Sequence, residues 1–288
     1  MTRSKALLAL HLTVFVWGFT GILGNEISLD AQELVWWRVF IATITIGVYL
    51  FFKKIEWRLT PKEAAMYAIV GLLTAAHWIF FFGSIKVSNV STALAVISTT
   101  SFFVALTSPL IRKTRFSKLE LVLGGLVVLG LTIIFRFEPD KQLGIVMSLT
   151  AALLAAIFSS TNSILVKTYH PVKMAFYEMF FAFLGMTVFL FLSGVHFSDV
   201  VAIDQRDFLL VLILGTVATG IAFIVSIDVM KVLTPFTVAL AINLEPLYTI
   251  LIALFLYGEK EYMSPQFYLG SGIILGTIFL ENRLRKKA

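Results

Sequence analysis

The chain has 288 residues, 59% apolar and only 14% charged, with a mean hydropathy of +0.93; a soluble core of this length does not show such values, which makes it a polytopic membrane protein. A net charge of +6 would suit a nucleic-acid binder, but the basic residues fall in short gaps between apolar runs rather than on one face or arm, which argues against that partner. With no cysteine in the chain, disulfides, thiolate metal sites and thiol catalysis are excluded.

Runs of about 20 apolar residues, the length that crosses a bilayer, predict spans over Ala6–Gly24, Leu34–Phe52, Ala64–Ser84, Ser91–Ile111 and Leu119–Phe135. A second set follows over Leu143–Val166, Val172–Ser193, Phe208–Val229, Pro235–Tyr257 and Pro265–Leu280. The first run follows Arg3 and Lys5 as a signal peptide would, yet the many spans after it argue for a retained helix. Thr60-Pro61-Lys62-Glu63 reads as an N-cap, an N1 proline and an N3 glutamate; Ser117 with Glu120, Ser264-Pro265 and Thr234-Pro235 repeat parts of that logic. With a cytoplasmic N-terminus, most Lys and Arg fall in inside gaps (Lys53, Lys54, Arg112, Lys113, Lys167, Lys231 and the C-terminal cluster among them). The outside gaps hold Lys86, Arg136, Lys141, Arg206 and Lys260. This asymmetry predicts both termini in the cytoplasm of a multi-pass protein of the cytoplasmic (inner) membrane.

The chain also matches itself at offsets of roughly 140 to 146 residues. Trp36-Trp37-Arg38 lies over Phe176-Tyr177-Glu178, Gly71 over Gly215, Lys86 over Lys231, Ser98 over Asn243, and Gly124 with Gly130 over Gly270 with Gly276. Five helices per half force the second half into the membrane upside down. The expected fold is therefore all-α, ten transmembrane helices as two inverted five-helix repeats, residues 1–137 and 138–288, around a central cavity.

Trp17-Gly18, Arg38, Leu244-Glu245-Pro246 and Leu256-Tyr257-Gly258-Glu259, with the length and the repeat, resemble the EamA-type, ten-helix branch of the drug/metabolite transporter superfamily across essentially the whole chain. That resemblance implies movement of small metabolites through a cavity lined by helices one, three and four and their mates six, eight and nine. Two departures stand out. The first half has Ser98-Thr99-Thr100-Ser101 where the second has Asn243-Leu244-Glu245-Pro246, which predicts a proline bend in one half only. Asn25 stands near the place where the family often carries a lysine.

Helical spacing sorts polar and small residues into stripes on those same helices: Thr13, Trp17, Thr20 and Gly24; Thr74, His77, Phe81 and Ser84; Ser98, Ser101, Ala105 and Ser108; Ser148, Ala155, Ser159 and Asn162; Thr216, Thr219, Phe223 and Ser226. Such stripes also serve close helix packing. The candidate substrate-binding set is Trp17, Thr20, His77, Phe81, Ser98, Ser101, Asn162, Phe223, Asn243 and Glu245. A carboxyl beside a helix-breaking proline at membrane depth needs a partner or a watery cavity, so Glu245 is also the candidate for proton coupling or for pairing a cation. A regular helix would place Asn243 and Glu245 on nearly opposite sides. Arg38 and Glu178 read as structural intramembrane charges seeking partners across helices, and Asp228 with Lys231 as a local ion pair. Trp36, Trp37, Trp57, Tyr257 and Tyr262 fit interfacial belts.

These residues point to a secondary transporter, an exporter or facilitator, moving a small organic metabolite such as an amino acid by alternating access. The bilayer is its surroundings, protons are a candidate coupled ion, no cofactor or metal is called for, and the chain works as a monomer or homo-oligomer. No GxxxxGK[ST] loop is present for ATP. The reading from another class is an intramembrane enzyme or a non-transporting receptor; HExxH and GxSxG are absent.

Overall fold

The structure, a computed structural model, describes residues 1–242, 244–258 and 262–285. Asn243 and Glu259 therefore lie outside the described residues. The described chain is helical, without strands.

The first span is α1 (Arg3–Trp17) and α2 (Thr20–Glu26), the second α3 (Ala31–Phe52), the third α4 (Pro61–Val87). The fourth is α5 (Val90–Ile97) and α6 (Thr100–Arg112), the fifth α7 (Lys118–Phe137). In the second half follow α8 (Gln142–Leu165), α9 (Pro171–Leu192) and a short surface helix, α10 (Phe197–Val201). The eighth span runs through α11 (Gln205–Gly215), a π-helical segment (Thr216–Ile221) and α12 (Ala222–Val229). The ninth is α13 (Pro235–Ile242) and α14 (Leu244–Tyr257), the tenth α15 (Pro265–Arg285). Seven of these spans are long and apolar enough by themselves to cross a bilayer, and the fifth and ninth contribute shorter apolar helices, Leu121–Ile134 and Tyr248–Tyr257.

The caps follow the residues expected to make them. Thr60 accepts from the Glu63 N–H while the Glu63 carboxylate accepts from the Thr60 N–H at 2.9 Å, a full capping box. Thr234 and Ser264 accept from the N–H groups of Thr237 and Phe267. Outward faces carry Phe255, Phe191 and Leu192, each more than three-quarters exposed. In water such a surface would aggregate; against lipid tails it is the natural solvent boundary.

Close backbone approaches display the inverted relation of the halves. A Cβ on Gly71 of α4 would lie 2.2 Å from the carbonyl oxygen of Glu178 on α9, and one on Gly215 would lie 3.2 Å from that of Arg38 on α3. The third span of the first half thus touches the seventh as the eighth touches the second. Gly130 and Gly270 cross reciprocally, each 2.6 Å from the other's carbonyl oxygen by the same construction. Trp36 departs from the interfacial role expected of it. It is buried, stacked on Phe40 with centroids 5.4 Å apart, and its Nε1–H donates to the Thr187 hydroxyl at 2.9 Å. Trp57 stays exposed, with its ring edge-on to Phe176.

Candidate functional site

Among the described residues three spans lose regular helical geometry, and all three losses surround one chamber. The first span breaks between Trp17 and Thr20, and the Thr20 hydroxyl donates to the Trp17 carbonyl at 2.8 Å. The fourth breaks at Ser98-Thr99, between α5 and α6, without a proline. There Ser98, Thr99, Thr100 and Ser101 donate in turn to the carbonyls of Ala95, Val96, Ile97 and Ser98. Hydroxyls that capture carbonyls three residues back compete with the helical ladder, so four in a row loosen it as a proline would. The proline bend expected in the ninth span falls around Asn243, outside the described residues. In the eighth, Thr219 donates to the carbonyl of Leu214 five residues back, at 2.7 Å, and the helix widens to π geometry.

Loosened backbone at membrane depth must find partners. Trp17 Nε1–H donates to the Ala218 carbonyl at 2.8 Å, tying the first span to the π segment. The Thr249 hydroxyl donates to the Gly18 carbonyl at 2.6 Å, tying the ninth span to the first. Each such bond contributes about 1 kcal/mol net and would cost more if one partner were left buried alone.

The chamber has a volume of about 110 Å³ and is lined by Trp17, Thr20, Arg38, His77, Trp78, Phe81, Ile97, Ser98, Thr100, Ala155, Phe158, Ser159, Ala218, Thr219, Phe223, Ser226, Met230, Ala239, Ile242 and Glu245. Its walls are aromatic and aliphatic, with an arginine, a glutamate and a histidine among them. Arg38 is buried; its Nε–H donates to Thr219 at 2.6 Å and its Cζ stands 4.0 Å above the Trp78 ring. Glu245 is half-buried and accepts from the Thr20 hydroxyl at 3.3 Å. Among the described residues no ion pair joins them. His77 meets the Ala151 carbonyl through Nδ1 at 2.8 Å. A carbonyl only accepts, so Nδ1 carries the hydrogen and Nε2 of the neutral ring is left as an acceptor.

Of the ten residues singled out in the sequence for substrate, seven share this chamber: Trp17, Thr20, His77, Phe81, Ser98, Phe223 and Glu245. Ser101 faces a smaller gap between α6 and α7, beside Phe102 and Gly124. Asn162 turns from the chamber and donates through Nδ2 to Glu178 Oε2 at 2.9 Å. Asn243 lies outside the described residues. Arg38, read as scaffold, lines the chamber, whereas its repeat mate Glu178 is buried beside Asn162. Sequence reasoning missed Thr219 as the anchor of Arg38, although both lay on marked positions; it also missed Trp78, which directly follows His77. Asp228 and Lys231 pair at 2.9 Å on the surface.

Irregular helices from two inverted halves, meeting in an amphipathic chamber, define a membrane transporter. The model of the EamA-like transporter family matches residues 4–136 and 142–283, so the chain belongs to that family. It is similar to "Uncharacterized transporter YxxF" of Bacillus subtilis (strain 168), 21% identical, covering 95% of this chain and 87% of that protein. It is also 26% identical to the "Pseudopaline exporter CntI" of Pseudomonas aeruginosa (strain UCBPP-PA14), over 76% of this chain and 75% of that one. In three dimensions it matches a protein crystal structure with a TM-score of 0.71 at 17% identity, covering 98% of this chain and 99% of that chain, a likeness of fold.

Proposed function

We propose that this transporter moves a small zwitterionic metabolite, an amino acid or related compound, across the cytoplasmic membrane by alternating access. The observation that carries the reading is the pair Arg38 and Glu245, opposite charges in one aromatic chamber and not bonded to each other. A guanidinium already fixed by Thr219 and Trp78 is pre-organised for a carboxylate, and Glu245 for an ammonium group. Phe81, Phe158 and Phe223 supply apolar walls for a side chain. His77 Nε2 adds an acceptor, while Trp17, Thr20 and Ser98 complete the polar lining. Glu245 doubles as the proton-coupling group, since a carboxyl that releases its ammonium partner can take a proton in its place.

The halves, residues 1–137 and 138–288, rock against each other. Locks between them occupy both ends of the bundle. At one end Arg206 pairs with Glu26, the Tyr257 hydroxyl donates to Glu26 at 3.0 Å, and Ser28 donates to Asp207. At the other, Lys173 pairs with Glu63 at 2.8 Å. Glu63 and Asp207 both sit at the third position of the first turn of their helices, α4 and α11. Opening one lock while the other holds is alternating access in its simplest form. The distribution of Lys and Arg supports a cytoplasmic location for the Glu63–Lys173 end and both termini. The relative named as an exporter favours outward movement.

A thermal-shift screen of purified protein in detergent tests the substrate class. Amino acids are set against the matching amines and carboxylic acids that each lack one charge. Stabilisation by zwitterions alone supports the reading; equal stabilisation by a singly charged analogue, or stabilisation that survives in both Arg38→Gln and Glu245→Gln, contradicts it.

A further inference from the structure

Glu178 and Asn162 form a buried pair outside the chamber that the transport reading does not use. Glu178 is fully buried and Asn162 1% exposed, and the bond from Nδ2 to Oε2 is 2.9 Å. The two remaining atoms, Glu178 Oε1 and Asn162 Oδ1, are both buried without a hydrogen-bond partner, as is the Tyr67 hydroxyl. With an ionised carboxylate the two atoms are both acceptors, and an unmatched pair of acceptors in a dry interior is costly. In a carboxylic acid facing a primary amide, the acid carbonyl takes the amide N–H while the acid O–H is given to the amide oxygen. One proton on Oε1 would supply the missing donor for both orphaned atoms.

We propose that Glu178 is a proton-binding site, its Oε1–H donated to Asn162 Oδ1, separate from the chamber and from Glu245. Among the described residues no other charge is placed to hold it as an anion. From α4 Tyr67 stands near it, and one turn before Tyr67 is Glu63, which is already paired with Lys173. Its own helix, α9, offers Lys173 in that pair and Tyr177, whose hydroxyl donates to the Trp57 carbonyl. The segment after α8 brings Tyr169, ring to ring with Tyr67 at 6.0 Å. Arg38 on α3, which packs against α9, turns instead to Thr219 and Trp78. At the end of α12, also packed on α9, Asp228 is paired with Lys231.

The position sets the pair between one end of the bundle and the chamber. Glu63, Tyr67 and Gly71 follow one another at four-residue spacing on α4, Gly71 touches the Glu178 backbone, and Asn162 lies one turn from Ser159 of the chamber wall. The pair therefore lies between the Glu63–Lys173 lock and the chamber. It lies on the contact between the two halves, so separation there would let water reach Oε1; the proton passes to that water and returns when the halves close. This last linkage rests on the alternating-access reading, whereas the bound proton does not.

Infrared difference spectroscopy of the full-length protein in liposomes at neutral pH tests the site without any substrate. The protonated-carboxyl stretch is expected in wild type, lost in Glu178→Gln and kept in Glu245→Gln. In Asn162→Ala, which retains Glu178, the band should move to the position of an acid without its amide partner. If Glu178→Gln instead loses a carboxylate band, or if Asn162→Ala leaves the acid band unmoved, the proposal is overturned. The Asn162→Ala arm decides the matter even if Glu178→Gln does not fold. Failure of the zwitterion screen leaves these bands untouched, so the two readings fail separately.

Discussion

Gly71→Ala is the most searching single-atom change in the scaffold. The new Cβ would stand 2.2 Å from the Glu178 carbonyl oxygen, 3.0 Å from its carbon and 3.2 Å from the Ala182 nitrogen. Ordinary contact begins near 3.5 Å, so the overlap is about 1 Å. All three neighbours are backbone atoms of α9, and no side chain can swing aside. The helices must separate by about that overlap. A gap of this size forfeits between a quarter and a half of the local dispersion attraction, and overpacking of this kind costs about 1–3 kcal/mol. Alanine returns up to about 1 kcal/mol through its better helix propensity. The net expectation is a loss of about 2 kcal/mol, a factor of roughly 30 in the folded-to-unfolded ratio. Gly125→Ala in α7 is the matched control, because a Cβ there meets nothing within 4 Å; it should be neutral or slightly stabilising. Thermal unfolding in detergent, followed by fluorescence and size-exclusion recovery, compares the two. If Gly71→Ala proves as stable as Gly125→Ala, the close α4–α9 approach and the interface built on it are wrong.

Other substitutions probe the chamber and its ends. Arg38→Lys keeps the charge but loses the planar fork and the stacking on Trp78, and substrate affinity should fall by about 10-fold or more with the fold intact, measured as the concentration dependence of exchange. Trp17→Phe removes the bond to the Ala218 carbonyl and leaves that oxygen buried; stability should drop by about 1–3 kcal/mol in thermal unfolding. Arg206→Ala breaks the Glu26 pair, which is exposed on the arginine side, so stability should change by less than about 1 kcal/mol. Labelling of a cysteine placed at Ser28 should nevertheless rise, because the lock at that end is weakened. Glu245→Gln should abolish the pH dependence of exchange, and exchange that keeps its wild-type pH profile would remove Glu245 from proton coupling.

Much of this architecture is written in the apolar runs. Span positions, the Thr60–Glu63 capping box and the inverted repeat all follow from periodicity and spacing, which act locally. The five polar stripes were legible for the same reason, and their central members, from Trp17 to Phe223, meet in the chamber. Stripe ends behave differently. Asn162 shares a face with Ser159, but one further turn carries it past the chamber wall to Glu178, a partner set by tertiary packing. The interruption at Ser98-Thr99 escaped notice because no proline marks it; the consecutive hydroxyls that cause it were visible but read as lining. The π segment depends on Thr219 reaching five residues back, and no spacing rule announces it. Arg38 and Glu178 occupy equivalent places in the two halves, so symmetry predicts equal roles. Their surroundings differ, however: Thr219 and Trp78 hold one at the chamber, while Asn162 draws the other away.

Counterflow in sealed proteoliposomes tests the central claim most directly. Vesicles are loaded with an unlabelled amino-acid pool, and uptake of labelled external compounds is followed in wild type, Arg38→Gln and Glu245→Gln. The account predicts exchange of a narrow zwitterionic class in wild type, lost in Arg38→Gln and weakened in Glu245→Gln, with every compound recovered chemically unchanged. Exchange that proceeds undiminished in Arg38→Gln, or that prefers compounds lacking a carboxylate, would contradict it.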